Sequence, residues 1–166
     1  MKELAHSSPR RGSFRVFIVG GGTAVLLGWR DSTVDADLHA DRDEIFRDIQ
    51  EIKERLGLNV EFARPEHFVP PLAGSDRRHI FIESERNVSF YHYDPYAQVL
   101  SKVVRGFARD IEDARQFIVA GLVDPERLRS LVRGIPSKAY AKYPALSPEA
   151  VRQTVETFLD AGGRSG

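Results

Sequence analysis

Cysteine is missing from all 166 residues, which excludes disulfides, thiolate metal sites and cysteine nucleophiles. Any bound metal must therefore sit on oxygen or imidazole. No apolar run approaches the roughly 20 residues that span a bilayer, and Met1 to Gly12 lacks the apolar core of a signal peptide. Surplus charge is also missing: 24 basic residues balance 24 acidic ones, so the total argues neither for nor against a polyanionic partner. These absences lead to the expectation of a soluble cytoplasmic protein, about one domain in size, that buries a core without covalent staples.

The distribution of charge is less even than its sum. Asp31 to Glu66 holds 11 acidic against 5 basic side chains, and Pro95 to Tyr143 holds 9 basic against 5 acidic. One part suits cations and another suits a polyanion, although two solvated helix faces account for the counts equally well.

Residues 1–12 have few apolar groups to offset the entropy of ordering and read as a flexible tail. Alternation at Phe14, Val16 and Ile18 predicts a strand that runs into Gly20-Gly21-Gly22. A short buried helix is expected over Thr23 to Trp29, and a second strand over Val34 to Leu38. Asp41 is the expected cap of a helix carrying Ile45, Ile49, Ile52 and Leu56, with Gly57 just past its end. Leu58 to Ala63, His79 to Glu83 and Val88 to Tyr93 read as strands, and the segment with Pro70 and Pro71 as irregular. Four helices follow, about Pro95 to Val104, Asp110 to Ala120, Pro125 to Val132 and Pro148 to Leu159. The expected fold class is α+β: a core over 13–93, with a mixed sheet and flanking helices, and a helical C-terminal region over 94–166.

Two features lie a short helix apart. Glycines between a strand and a helix let backbone N–H groups approach a phosphate closely. A dinucleotide fingerprint would need glycine at Val25, and a P-loop would need a Gly-Lys-Ser/Thr ending, so neither familiar loop fits. Asp35 and Asp37, two apart on a strand, send both carboxylates to one face. Like charges on one face favour a cation between them, and Mg²⁺ or Mn²⁺ suits one or two carboxylates plus phosphate oxygens. Solvated edge-strand aspartates are the bland alternative.

Gly-Gly-Gly-Thr-Ala, a spacer, Arg30-Asp-Ser-Thr33 and Val34-Asp-Ala-Asp-Leu38 together resemble the signature of the polymerase-β-type nucleotidyltransferase superfamily. More narrowly the pattern is similar to small AbiEii-type and MenT-type nucleotidyltransferases of toxin–antitoxin systems. The resemblance implies nucleotide binding at Gly21, Gly22 and Thr23, metal ligation at Asp35 and Asp37, and a third carboxylate on the next strand. Glu61, in Val60-Glu-Phe62, takes that place as ligand or general base; a strand glutamate facing water is the other reading.

A second block, Asp94-Pro-Tyr-Ala-Gln-Val-Leu-Ser-Lys102 followed by Arg105 and Arg109-Asp-Ile-Glu-Asp113, matches the narrower group. There the lysine engages nucleotide phosphate, so Lys102 is expected at the triphosphate, with Arg105, Asp110 and Asp113 in support. Read from the residues alone, Asp110 and Asp113 also suit a helix N-terminus, and Lys102 either finds a partner among its apolar neighbours or snorkels to solvent.

The function expected from the resemblance is Mg-dependent transfer of a nucleoside monophosphate from an NTP to a hydroxyl of RNA, such as tRNA, or of protein, in a module with a cognate antitoxin. The basic segment Lys102 to Lys142 is then the expected polyanion surface. A catalytically inactive binding or regulatory protein, itself antitoxin-like with a toxin partner, and an aminoglycoside-like small-molecule transferase are the alternatives.

Overall fold

The computed structural model describes residues 1–33 and 35–162. Val34, at the start of the expected second strand, lies outside them. The chain divides into two compact units, 1–64 with 79–93 and 65–78 with the residues from Asp94 onward.

The first unit is a mixed sheet with helices. In chain order it contains α1 (Lys2–Ser7), β1 (Phe14–Val19), α2 (Gly20–Leu26), β2 (Asp35–Ala40), α3 (Ile49–Leu56), β3 (Asn59–Phe62), β4 (Ile80–Glu85) and β5 (Val88–His92). The strand order is β3-β2-β1-β5-β4. β1 runs antiparallel to β2 and parallel to β5, β2 runs parallel to β3, and β4 and β5 form an antiparallel hairpin. Because side chains alternate along a strand, Phe14, Val16 and Ile18 point with Leu38, Ala40, Val60, Val88 and Phe90 into one core, which Leu4, Ala5, Ile45 and Ile52 complete. The opposite face is left to Asp35, Asp37, His39 and Glu61.

The second unit is helical: α4 (Pro95–Arg105), α5 (Ala108–Val119), α6 (Pro125–Arg133) and α7 (Pro148–Gly162), with 3₁₀ turns at Pro65–His67, Ser75–Arg77 and Ser137–Lys142. Its helix starts follow the chemistry of the sequence. Asp94 accepts a hydrogen bond from the Tyr96 amide at 3.0 Å, and Asp124 from the Arg127 amide at 2.7 Å, each ahead of a proline at the first helical turn. The fully buried Asp94 also receives Arg78 at 3.1 Å and 2.7 Å, so Arg78 is a structural partner within this unit.

Three local expectations change. The segment read as a flexible tail is helical at Lys2–Ser7, because Leu4 and Ala5 are apolar neighbours that both reach the core, at 5 % and 0 % exposure. Glu3 pairs with Arg55, and Ser8 donates to Asn87 at 2.8 Å. α2 begins at Gly20 and not at Thr23. Asp41 caps no helix: its carboxylate takes Arg15 at 2.5 Å, and Asp43–Phe46 forms a 3₁₀ turn before α3, which ends as expected at Gly57 in the left-handed conformation.

The N-terminal helix yields a direct test. Leu4→Ala should lower stability by about 2–5 kcal/mol, the range for truncating a buried leucine. Urea unfolding measures it. A change within about 0.5 kcal/mol, typical of an unconstrained surface position, would return residues 1–12 to the status of a tail.

Candidate functional site

The two aspartates that begin and nearly centre β2 occupy positions two apart, and so share a face. β3 runs parallel beside them, with Asp35 opposite Asn59 and Asp37 opposite Glu61. Registered residues on neighbouring strands point to the same side, so three carboxylates, those of Asp35, Asp37 and Glu61, are gathered on one patch of the first unit. Asp35 and Glu61 are exposed and Asp37 is half-buried. Asn59 Nδ2 donates to Asp35 Oδ1 at 3.1 Å. The Thr33 hydroxyl accepts from the Asp35 amide at 3.2 Å and donates to the Asp35 carbonyl at 3.0 Å, which fixes the entry into β2.

The glycine turn reaches this patch from β1. Val19 pairs with Asp37 across the antiparallel ladder, so the next residue passes directly over the Asp37 carboxylate. Gly20 has φ +60°, and a Cβ there would collide with Asp37 Oδ2. A side chain at residue 20 is therefore excluded twice, by backbone conformation and by space. A Cβ at Gly21 would stand 3.0 Å from Thr33 Oγ1, and one at Gly22 would press on Ile18 at 2.8 Å. Gly20 and Gly21 thus keep the backbone close to Asp37 and Thr33, whereas Gly22 packs against its own strand.

Thr23 has a different place from the one the motif suggests. It is wholly buried, its hydroxyl donates to the Ile18 carbonyl at 3.1 Å, and His92 Nδ1 lies 3.3 Å away. The hydroxyl ties α2 to β1 and β5 from inside. Burial holds the His92 imidazole below its ordinary value near 6.5.

On the carboxylate face, His39 stacks on Phe17 with centroids 5.8 Å apart, and Phe17 packs in turn with His79 at 4.4 Å and Tyr91 at 5.7 Å. Tyr93 closes the group against His79 at 4.6 Å. Phe17 and Tyr93 are buried, as befits packing aromatics. Among the described residues no group of three or more His, Asp or Glu is arranged to hold a metal ion. A metal on this patch would take two carboxylates from the chain and complete its shell with substrate oxygens and water, the arrangement usual for Mg²⁺.

The second sequence block forms a site of another kind within the helical unit. The Lys102 ammonium is buried, 2.7 Å from Asp113 Oδ2 and 3.2 Å from Asp110 Oδ1. Arg105 approaches Asp110 Oδ2 at 3.1 Å as an ion pair without hydrogen-bond alignment. Two cations and two carboxylates balance one another across α4 and α5. The motif predicts Lys102 at a triphosphate; here two of its three ammonium donors go to the two aspartates that the same motif supplies. Removing either carboxylate from that pairing would leave a buried charge that desolvation makes expensive. Further along, Arg129 binds Glu126, Glu156 and Asp160, and Arg133 binds Glu156. Four of the nine basic side chains from Pro95 to Tyr143, Lys102, Arg105, Arg129 and Arg133, are paired with acids inside their own unit.

Asp35, Asp37, Glu61 and the Gly20 to Gly21 backbone are thus brought together, and Lys102, Arg105, Asp110 and Asp113 are brought together separately. Asn59 and Thr33 are site residues that the sequence alone does not single out. Asn59 lies two residues before Glu61 on the same strand, a signal that only the β2–β3 register makes legible.

Residues 1–156 match a family model described as "Nucleotidyltransferase of unknown function (DUF6036)". No curated protein and no solved structure matches the chain. No described helix is long and apolar enough to cross a membrane.

Two outcomes are expected. Lys102→Met should cost about 3–5 kcal/mol, since it leaves Asp110 and Asp113 buried without their shared cation, and adding Asp110→Asn with Asp113→Asn should recover most of the loss. Chemical denaturation of the single and triple variants checks both parts. For His92, the depressed folded value means that the unfolded chain takes up the proton first. Its stability contribution is complete above about pH 6.5 and is lost as pH falls below that toward the folded value. His92→Gln should flatten that limb of a stability-against-pH curve; an unaltered limb would assign it to other groups.

Proposed function

The chain belongs to this family of nucleotidyltransferases, and from that premise we propose that it transfers a nucleoside monophosphate from an NTP to a hydroxyl group, with Asp35 and Asp37 as ligands of Mg²⁺ or Mn²⁺. The observation that carries the proposal is the convergence at β2: Asp35 and Asp37 share one strand face, Glu61 stands in register with Asp37, and Gly20 has no room for a side chain beside Asp37 Oδ2.

The fit to a divalent ion rests on the donor set. Asp35 and Asp37 share one strand face with Glu61 in register beside Asp37, and a hard cation with oxygen ligands offsets the repulsion between like charges placed on one face. When bound, Mg²⁺ supplies neutralising charge at the α-phosphate and leaving group and lowers the pKa of the attacking hydroxyl. The chain's own groups do the rest. Asp35 and Asp37 orient the reacting phosphate by holding its counter-ion, and Asn59 orients Asp35 through its 3.1 Å hydrogen bond. Backbone amides of Gly21 and Gly22 hold the triphosphate from the glycine turn. Glu61 accepts the proton of the acceptor hydroxyl as its oxygen bonds to the α-phosphorus; the α–β bridging P–O bond breaks and pyrophosphate leaves with the electron pair. The Thr23 hydroxyl supports the turn from inside through the Ile18 carbonyl, and Lys102 is held by Asp110 and Asp113.

For the acceptor we propose an RNA hydroxyl, in the setting of a toxin–antitoxin pair. Support for this finer reading comes from the resemblance of the two motif blocks to AbiEii-type and MenT-type proteins. A specific observation favours a second reading, an inactive binding protein of the same fold: the lysine that related transferases aim at phosphate is held here by Asp110 and Asp113.

Incubation with each α-labelled NTP, Mg²⁺ and separate pools of tRNA, protein or aminoglycosides distinguishes the readings. Label is expected in the tRNA pool, and Asp35→Asn is expected to abolish it, a loss of at least about 100-fold. The same variant should keep its thermal midpoint in chelator, because it removes a repulsive charge and retains the shape that Asn59 meets. Label in no pool would favour the binding protein, and a sharp fall in the midpoint would give Asp35 a structural role.

A further inference from the structure

Four arginines meet at a cavity of about 650 Å³ in the first unit, far in kind from the carboxylate patch. Arg10 and Arg11 follow α1, Arg47 precedes α3, and Arg86 occupies the β4–β5 turn; His6 and Asp48 share the lining. Asp48, 3.5 Å from Arg47, is the carboxylate that answers this charge within the lining, while Glu85 lies 3.7 Å from His6. Arg10 and Arg11 are exposed and enter no ion pair among the described residues. The site adjoins α1 and α3, whose apolar sides cover the core face of the sheet, whereas Asp35 and Asp37 lie on the other face.

The arginines are held in place, unlike those of a loose tail. Asn87 Nδ2 donates to the carbonyls of Pro9 and Gly12, both at 2.8 Å, and Asn87 Oδ1 accepts from Ser8 at 2.8 Å. One side chain thereby clamps both ends of the segment that carries Arg10 and Arg11. Arg86 adopts φ +57°, an unfavourable conformation for a long side chain, and donates to the His6 carbonyl at 3.2 Å. That bond holds the guanidinium without neutralising it. Strain and a three-bond clamp converge on presenting positive charge at one place.

We infer that this cavity binds the phosphodiester backbone of a nucleic acid. Guanidinium groups match phosphate oxygens as two-toothed donors. The lining offers no Phe, Tyr or Trp on which a base could stack and little apolar surface, so recognition rests on phosphate and carries no sequence preference. The inference stands apart from nucleotidyl transfer, because binding is measured without turnover.

The test is the binding of a short fluorescent single-stranded RNA of mixed sequence to the full chain across a salt series, followed by anisotropy. Arg10→Ala with Arg11→Ala should weaken binding about tenfold at low salt and reduce the slope of log K against log salt by about 1.4, or 0.7 for each phosphate that is no longer neutralised. Arg10→Lys with Arg11→Lys should keep the slope. Since Arg10 and Arg11 are exposed and outside the ion pairs, both variants should match the parent in thermal midpoint. Unchanged affinity and slope in the double alanine variant would overturn the inference. So would competition by inorganic triphosphate as effective, per phosphate, as unlabelled RNA, because that result assigns the cavity to a small phosphate ligand.

Discussion

Asp37 can stand against the start of α2 only because residue 20 has no side chain, and the rest of the candidate site follows from that approach. The β1–β2 ladder sets Val19 opposite Asp37, so the turn leaving β1 must cross the carboxylate whatever its sequence. With Gly20 at φ +60° the backbone crosses at close range; with any other residue, either the turn or the carboxylate would have to move. The β2–β3 register then adds Glu61 beside Asp37 and Asn59 beside Asp35. A buried threonine hydroxyl anchors α2 from below by donating to the Ile18 carbonyl. Metal ligation and phosphate approach, as proposed, are consequences of one missing Cβ and two strand registers.

Charge is handled by opposite means in the two units. In the helical unit Lys102 and Arg105 are matched with Asp110 and Asp113, and Arg129 and Arg133 with the acids of α6 and α7. The buried Lys102 cluster fixes how α4 and α5 pack, while Arg129 and Arg133 meet their acids nearer the surface. In the first unit, like charges are gathered: acids on one face of the sheet, arginines at the rim of the helices on the other. Gathering like charges costs stability unless a ligand of opposite sign arrives, which is why these two places, and not the longer basic run of the C-terminal half, are where ligands are proposed.

Much of this is legible in the sequence where the signal is local. Alternation locates β1 and β5, Asp-Pro pairs locate the starts of α4 and α6, and Asp-x-Asp places two carboxylates on one face because strand periodicity permits nothing else. What escapes depends on partners distant in the chain. Leu4 and Ala5 look too few to order a tail until the core that receives them is known. The preference of Asp41 for Arg15 over a helix cap arises from the β1–β2 pairing, and the burial of Thr23 from the arrival of β5, whose His92 lies 69 residues further along. Lys102 shows what a motif alone leaves out. Its motif marks a real cluster of charges, but a lysine with two aspartates eight and eleven residues on can close on itself across two helices.

The central claim is that the glycine turn and the β2–β3 carboxylates form one site for a divalent ion with a nucleotide. Paramagnetic broadening by Mn²⁺ in the presence of a non-hydrolysable NTP, followed in amide NMR spectra of the isotopically labelled chain, tests it most directly. The account predicts that the signals of Gly20, Gly21, Asp35, Asp37 and Glu61 broaden first, and that Gly20→Ala removes the effect by pushing the Asp37 carboxylate aside. Broadening centred on Asp110 and Asp113, or an unaltered pattern in Gly20→Ala, would contradict it.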